Sequence, residues 1–206
     1  NKDWILLKKW TTGKSSIEAI DLRWKYWHAR ALEKTGENQK ARQIYIKLAK
    51  ERDYYGFLAA DKINMPYSMN HYPVTNDVEE FKRISSLPAM KRAYEFYQLG
   101  MNTNARREWN HALKKMTTYQ MQMAAALAVK WGWHNRAIIT MSRARALDNL
   151  VLRFPILYEE ILTKYAKKNN IDRSWVFGIV RAESAFIEDI SSPVGALGLM
   201  QVMPKT

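Results

Sequence analysis

Cysteine is absent, glycine and proline are scarce at 8 and 6 of 206 residues, and no apolar run outlasts the one from Met123 to Val129, which stops at Lys130. Without cysteine there is no disulfide scaffold, no thiolate zinc site, no iron–sulfur cluster and no cysteine nucleophile. The compartment stays open, because larger periplasmic domains do without disulfides. Nothing approaches the ~18 apolar residues that a membrane span needs. Asn1-Lys2-Asp3-Trp4 holds no apolar signal core, so an export signal is expected to have been removed or to lie outside this chain, whose two ends read as cut from something longer. Few glycines and prolines beside 8 Trp, 11 Tyr and many Leu, Ala and Lys is the composition of helices joined by short turns. The predicted fold class is all-α.

Positive charge is in excess. Lys and Arg number 33 against 20 Asp and Glu, a formal net charge of +13. That favours an acidic partner: nucleic acid, an anionic membrane or another anionic polymer. Residues 151–206 hold 7 Lys and Arg against 6 Asp and Glu, so a surplus of 12 belongs to residues 1–150. The last segment is chemically different from the rest.

Three stretches repeat without gaps. Each has a small residue, a glycine seven positions later, an alanine five after that and a bulky residue four further on. They are Ala29, Gly36, Ala41, Tyr45; then Ala93, Gly100, Ala105, Trp109; then Ala125, Gly132, Ala137, Met141, with Leu32, Phe96 and Ala128 four before each glycine. The spacing resembles a tetratricopeptide-like helical hairpin. Glycine ends the first helix because it enters the left-handed conformation without strain, and the small residues let paired helices approach. From Asn64 to Pro88, three prolines (Pro66, Pro73, Pro88) with Asn64, Asn70, Asn76 and Ser68 predict a loop-rich connection. A second boundary is expected at Leu152-Arg153-Phe154-Pro155, where proline would begin a helix from Ile156 to about Asn169. The aromatic clusters at Trp24, Tyr26, Trp27 and at Tyr54, Tyr55, Phe57 can stack on sugars or bases, but filling the core between hairpins is their ordinary use.

From Asp172, a predicted N-cap, helical periodicity runs to Ile187 with Val176, Ile179 and Val180 in one stripe. Glu183 is the next position of that series, so it is expected on the apolar face, where burial would keep it protonated for general acid work. The bland alternative is a glutamate near a helix end, capped or paired with Arg181 or another basic side chain. Ser191-Ser192-Pro193-Val194-Gly195-Ala196-Leu197-Gly198 then reads as a turn of small residues, and Leu199 to Met203 as a short helical turn closed by Pro204. Ser192, Gln201 and Met203 supply a hydroxyl, an amide and a soft apolar contact, a set that suits a sugar ring with an N-acetyl group.

Arg181-Ala-Glu183-Ser184-Ala-Phe186, followed by Ser192-Pro-Val-Gly195-Ala196-Leu-Gly198-Leu-Met-Gln201-Val-Met203-Pro204, resembles the first catalytic motif of the soluble lytic murein transglycosylases. Tyr55-Gly-Phe-Leu-Ala-Ala60, Ala105-Arg-Arg-Glu-Trp109 and Leu152-Arg-Phe-Pro155 resemble that family's linking segments, so the likeness covers nearly the whole chain. It implies a superhelical array of hairpins followed by the first part of a lysozyme-like, goose-type α domain. The implied divisions are 1–66, the end of a superhelical domain; 67–150, a linker domain; and 151–206, the opening portion of the catalytic domain. The family cleaves the β-1,4 bond between N-acetylmuramic acid and N-acetylglucosamine in peptidoglycan and leaves a 1,6-anhydro ring. By resemblance Glu183 is the catalytic acid, Ser192, Gln201 and Met203 line the sugar subsites, and Ser184, Gly195 and Gly198 support the motif's geometry. Ordinary glycosidases need a second carboxylate about 5–5.5 or 6.5–9.5 Å away. Glu188 and Asp189 point elsewhere on a continuing helix, whereas the family's internal nucleophile requires no such partner. The family's later segments, with a tyrosine facing the glutamate, do not occur before Thr206, which implies that this polypeptide alone is inactive or nearly so. The implied home is the periplasm, with peripheral association to the cell envelope left open, and no cofactor is implied.

The rival from another class is a non-catalytic, basic helical-repeat scaffold that binds an acidic polymer or protein partner. It accounts for the charge but not for Glu183 or its loop. No nucleic-acid motif accompanies the basic charge, so no nucleic-acid partner is expected. His28, His71, His111 and His134 are scattered and form no HExxH pair, so no metal is expected and each reads as a surface or satisfied core histidine. Gly195 and Gly198 lack the lysine of a phosphate loop.

Overall fold

The computed structural model describes residues 3–12, 21–74 and 77–206. Among them are twelve helices: α1 Trp4–Thr12, α2 Leu22–Lys34, α3 Asn38–Leu48, α4 Tyr54–Ile63, α5 Val78–Ser85, α6 Pro88–Gln98, α7 Asn102–Leu113, α8 Thr118–Lys130, α9 His134–Arg143, α10 Leu150–Arg153, α11 Glu159–Lys168 and α12 Arg173–Ser184. The described residues form no strand, only isolated bridges near the C-terminal end, and the fold is all-α as predicted. The chain divides into two compact units, Asn1–Asn70 and His71–Thr206.

The repeat is a helical hairpin in all three places. Gly36, Gly100 and Gly132 sit at φ +89°, +70° and +78° between α2 and α3, α6 and α7, and α8 and α9. The left-handed turn aims the next amide back at the helix end: Glu37 N donates to Leu32 O at 2.9 Å, Met101 N to Phe96 O and Trp133 N to Ala128 O, both at 2.8 Å. These carbonyls belong to the residues four before each glycine, so the spacing encodes the cap that closes the helix. The nine other repeat positions, Ala29, Ala41, Tyr45, Ala93, Ala105, Trp109, Ala125, Ala137 and Met141, are each at most 3% exposed. Small residues let the helices touch, and the bulky ones fill the space beside them.

In the first unit Tyr26, Tyr45, Leu32 and Leu48 form the core with α4's Ala59. The Tyr26 ring lies 6.0 Å from Tyr45 and 5.7 Å from Tyr55, so the aromatic clusters split: Tyr26 is core, while Trp24, Trp27 and Tyr54 keep exposed faces. In the second unit Trp109 centres the core, donating Nε1–H to Thr140 Oγ1 at 3.0 Å and meeting the Trp131 and Trp133 rings edge-on.

Two expectations are corrected. The stretch from Asn64 to Pro88 is not all loop. Asp77 caps α5 by accepting from Glu80 N at 2.9 Å, α5 buries Ile84, and Pro88 opens α6 instead of ending a loop. Asn76 lies outside the described residues. Pro155 does not begin a helix either. α11 starts at Glu159, because Tyr158 takes a left-handed φ of +55° that a helix interior excludes, while Leu157 packs beside Phe177 and Phe186. That small core, Ile138, Phe177, Val180 and Phe186, ties the C-terminal segment to α9.

Candidate active site

Helix α12 starts where expected, with the Asp172 carboxylate accepting from Ser174 N at 2.7 Å. It ends at Ser184, not Ile187, because Ala185 and Phe186 both take left-handed conformations, at φ +49° and +66°. Ser184 holds this turn. Its buried hydroxyl donates to Val180 O at 2.9 Å and accepts from Phe186 N at 3.1 Å. The buried face of α12 runs through Val176, Phe177, Val180 and Ser184.

Glu183 therefore departs from expectation: it is exposed, not buried on the apolar face. The physical reason is a rotated stripe. Phe186 and Leu199 pack against Phe177 and Val180, which draws Ser184 inward and leaves its neighbour Glu183 outside. The glutamate makes no ion pair or hydrogen bond among the described residues. Arg181 is not its partner, since its Nε donates to Arg153 O at 2.6 Å and its guanidinium lies 4.3 Å from the Phe154 ring centre. Burial lowers the Arg181 pKa from its ordinary value, with the nearby Arg153 charge adding to the effect.

The following loop is built by its own polar groups. Two antiparallel bridges join Ser191 to Leu197 and Leu197 to Val202. Ser192 Oγ accepts from Ala196 N at 2.9 Å, and Ser192 N donates to Ala196 O at 2.9 Å. Gly195 and Gly198 turn at φ +90° and +70°, conformations that cost a glycine little. Gln201 ties the loop's two ends, its Nε2 donating to Gly198 O at 3.0 Å and to Ile190 O at 3.3 Å. Residues 199–203 form a tight turn, not the expected helical one, because Gln201 itself is left-handed at φ +47°. Ser192 and Gln201 thus share one bridged loop in which both side chains hold backbone, the Gln201 carbonyl oxygen keeping its accepting capacity. Met203 is exposed, as are Leu197, Met200 and Val202 around it.

Glu188 and Asp189 line a cavity with Tyr158 and the first turn of α9, a wall that does not include Glu183. The Tyr158 hydroxyl hydrogen-bonds Glu188, and burial together with that bond pushes its pKa up to about 12. Two further polar groups in that cavity were not foreseen from sequence. His134 Nδ1 and Arg136 Nε are buried without a hydrogen-bond partner, so His134 is neither a surface nor a satisfied core histidine, while His28 is satisfied by Thr11 Oγ1 at 2.7 Å. The one available signal was position: both follow directly on the glycine turn of a repeat. Among the described residues no three His, Asp or Glu side chains lie close enough to hold a metal ion, and no helix is long and apolar enough to cross a membrane.

Comparison with known proteins fits this arrangement. Residues 83–150 match the soluble lytic murein transglycosylase L domain, and residues 160–206 match the transglycosylase SLT domain. The soluble lytic murein transglycosylases of Salmonella typhimurium and Escherichia coli are each 30% identical over 183 residues, 89% of this chain and 28% of theirs. An X-ray structure of an inactive glutamate-to-glutamine mutant of the lytic transglycosylase Slt from Pseudomonas aeruginosa superimposes with a TM-score of 0.88 at 38% identity, over 98% of this chain and 33% of that one. The 70 kDa soluble lytic transglycosylase of Escherichia coli gives 0.86 at 28% identity, over 99% and 33%. The chain thus spans about a third of the length of these relatives. With an L-domain match over the hairpins and an SLT-domain match over α11, α12 and the loop, the chain belongs to the soluble lytic murein transglycosylase family.

Proposed function

We propose that this chain serves peptidoglycan cleavage by a lytic transglycosylase, with Glu183 as the single acid and base. The observation that carries the proposal is that Glu183 is exposed and, among the described residues, unpartnered at the end of a helix whose arginines and Ser184 are all engaged. A polymeric glycan can reach it without breaking an existing ion pair. Ser192, Gln201 and Met203 line the sugar subsites in this reading, while Ser184, Gly195 and Gly198 hold the geometry. The hairpins belong to a superhelical domain up to residue 66 and a linker domain over 67–150, and residues 151–206 open the catalytic domain.

The chemistry needs one carboxyl group. Protonated Glu183 donates to the glycosidic oxygen as the bond from the N-acetylmuramic C1 breaks. The carboxylate then takes the proton of that sugar's C6 hydroxyl, whose oxygen closes on C1. The products are a free N-acetylglucosamine hydroxyl and a 1,6-anhydro ring, with no water consumed and the acid regenerated. Glu188 and Asp189 in their separate cavity are consistent with this economy. A relative described as inactivated by one glutamate-to-glutamine change points the same way. The substrate locates the protein in the periplasm, at the cell envelope.

The test is digestion of peptidoglycan sacculi by the full-length protein that carries this chain and by its Glu183→Gln variant, with products resolved by mass spectrometry. Anhydro-muropeptides from the first and none from the second are expected. Reducing-end sugars would replace the mechanism by hydrolysis. No products from either would leave the basic scaffold as the better account of the chain.

A further inference from the structure

The cavity that holds Glu188 and Asp189 has a volume of about 520 Å³ and lies wholly within the second unit. Its other side is made by the hairpins. Asn102, His134 and Asn135 line it, and these are the first residues of α7 and α9. Neither helix has a side-chain cap, since Met101 and Trp133 occupy the cap positions. The α9 N-terminus therefore presents partial positive charge and unmet amides to this space, and the α7 end adds its partial charge alone, since the Asn102 amide already donates to Gly100 O at 2.8 Å. Helix N-termini favour anions, and a buried group beside these calls for one.

Arg136 is that group. It is 6% exposed, lines the cavity, and its side chain forms no hydrogen bond or ion pair among the described residues. Its one recorded contact is with the Trp133 ring, 5.2 Å from the guanidinium carbon. Burial and the neighbouring Arg106 charge pull its pKa down to about 10, so it is cationic at neutral pH. Arg106 lines the same cavity and is exposed, held by Thr103 Oγ1 at 3.2 Å. A buried cation without a counter-ion is destabilising, and proteins ordinarily pair such a group. The unpartnered His134 Nδ1 adds a second unmet polar atom.

We infer that this cavity binds a short peptide or amino acid by its free carboxylate, the carboxylate meeting Arg136, Arg106 and the α9 N-terminus. A guanidinium fork matches a carboxylate with two parallel bonds. A purely anionic ligand would also confront Glu188 and Asp189, neither of which pairs with an arginine among the described residues, whereas a zwitterion has an ammonium for them. The volume is within the range that encloses a small ligand. The natural source, the peptides carried by peptidoglycan, is the one part that rests on the proposed function.

Calorimetric titration of the 206-residue chain with alanyl-alanine, in its D,D and L,L forms, tests the site. The C-terminal amide of the same dipeptide and inorganic phosphate are the controls. At least one free dipeptide binds, its amide about tenfold more weakly, and Arg106→Gln and Arg136→Met each weaken the free dipeptide by about tenfold. Arg136→Met also melts no lower than the parent, since it removes an unpaired buried charge. Should that variant fail to fold, Arg106→Gln on the surface carries the test. Equal binding of acid and amide, binding untouched by the substitutions, or binding of phosphate alone would overturn the inference, as would no binding at all. The readout involves no glycan cleavage, so its failure is separate from failure of the transglycosylase reading.

Discussion

The hairpins and the end of α12 make the same backbone move with different residues. In α2, α6 and α8 the helix is followed by a glycine at positive φ: Gly36, Gly100 and Gly132. After α12 the left-handed positions are Ala185 and Phe186, where a side chain costs roughly 1–2 kcal/mol per residue. The repeat uses the cheapest residue because its turn is only a connection. At the site the two side chains have work to do. Phe186 fills the small core beneath α12 and Ala185 packs against it, while the Phe186 amide is held by Ser184, so strain is tolerated to fix the turn beside Glu183. Burial differs in the same way. Repeat positions are nearly sealed, while the last turn of α12 leaves its carboxylate in water.

The largest expected effect separates chemistry from scaffold. Glu183→Gln lowers anhydro-product formation in the full-length protein by about 10²–10⁴-fold, the ordinary contribution of a general acid, with an unchanged melting temperature because the side chain has no partner. A large loss of stability would instead make Glu183 part of the scaffold. Next comes Trp109→Ala, which removes a fully buried ring and its bond to Thr140 at about 3–5 kcal/mol in denaturant unfolding. Trp175→Ala, at a side chain 66% exposed, stays within about 0.5 kcal/mol. Similar costs at both positions would erase the difference between a sealed repeat and an open site. Smaller still is the exchange of turn residues. Gly132→Ala costs about 1 kcal/mol, whereas Ala185→Gly raises stability by up to about 1 kcal/mol, part of the relief being lost to the freer unfolded chain.

This contrast also explains how much could be read in advance. The glycine-to-alanine spacings set the three hairpins because a local turn and close helix contact both leave marks on sequence at fixed separations. The Asp172 cap and the motif glycines are legible for the same reason. Glu183's exposure was not legible, because a stripe of Val176, Ile179 and Val180 leaves open which flank faces the core, and Phe186 and Leu199 decide that from outside the helix. Helix α5 was hidden by the prolines around it, and Tyr158's left-handed turn had no glycine to announce it. The roles of Ser192 and Gln201 as loop builders depend on bonds to Ala196 N and Ile190 O. Pairwise geometry of this kind has no single-residue signature. Arg136's lack of a partner is a property of everything around it.

The smallest effect is acid sensitivity, and it belongs to the hairpins. His28 on α2 is buried against Thr11, and burial lowers its pKa, with Lys8 adding to the effect and Glu37 opposing it. Burial likewise lowers that of His134 at the start of α9. A histidine whose folded pKa lies below the unfolded value, about 6.5, binds its proton more readily once unfolded. Stability is then complete above about pH 6.5 and declines as the pH falls toward the folded pKa. Urea midpoints measured between about pH 7.5 and 5 should therefore drop on the acid side. His28→Gln, which keeps a hydrogen-bonding group for Thr11 but cannot titrate, should flatten part of that slope. Residues 172–206 contain no histidine, so an unchanged slope in both His28→Gln and His134→Gln would mean that acid sensitivity arises from carboxylates and not from the hairpin helices.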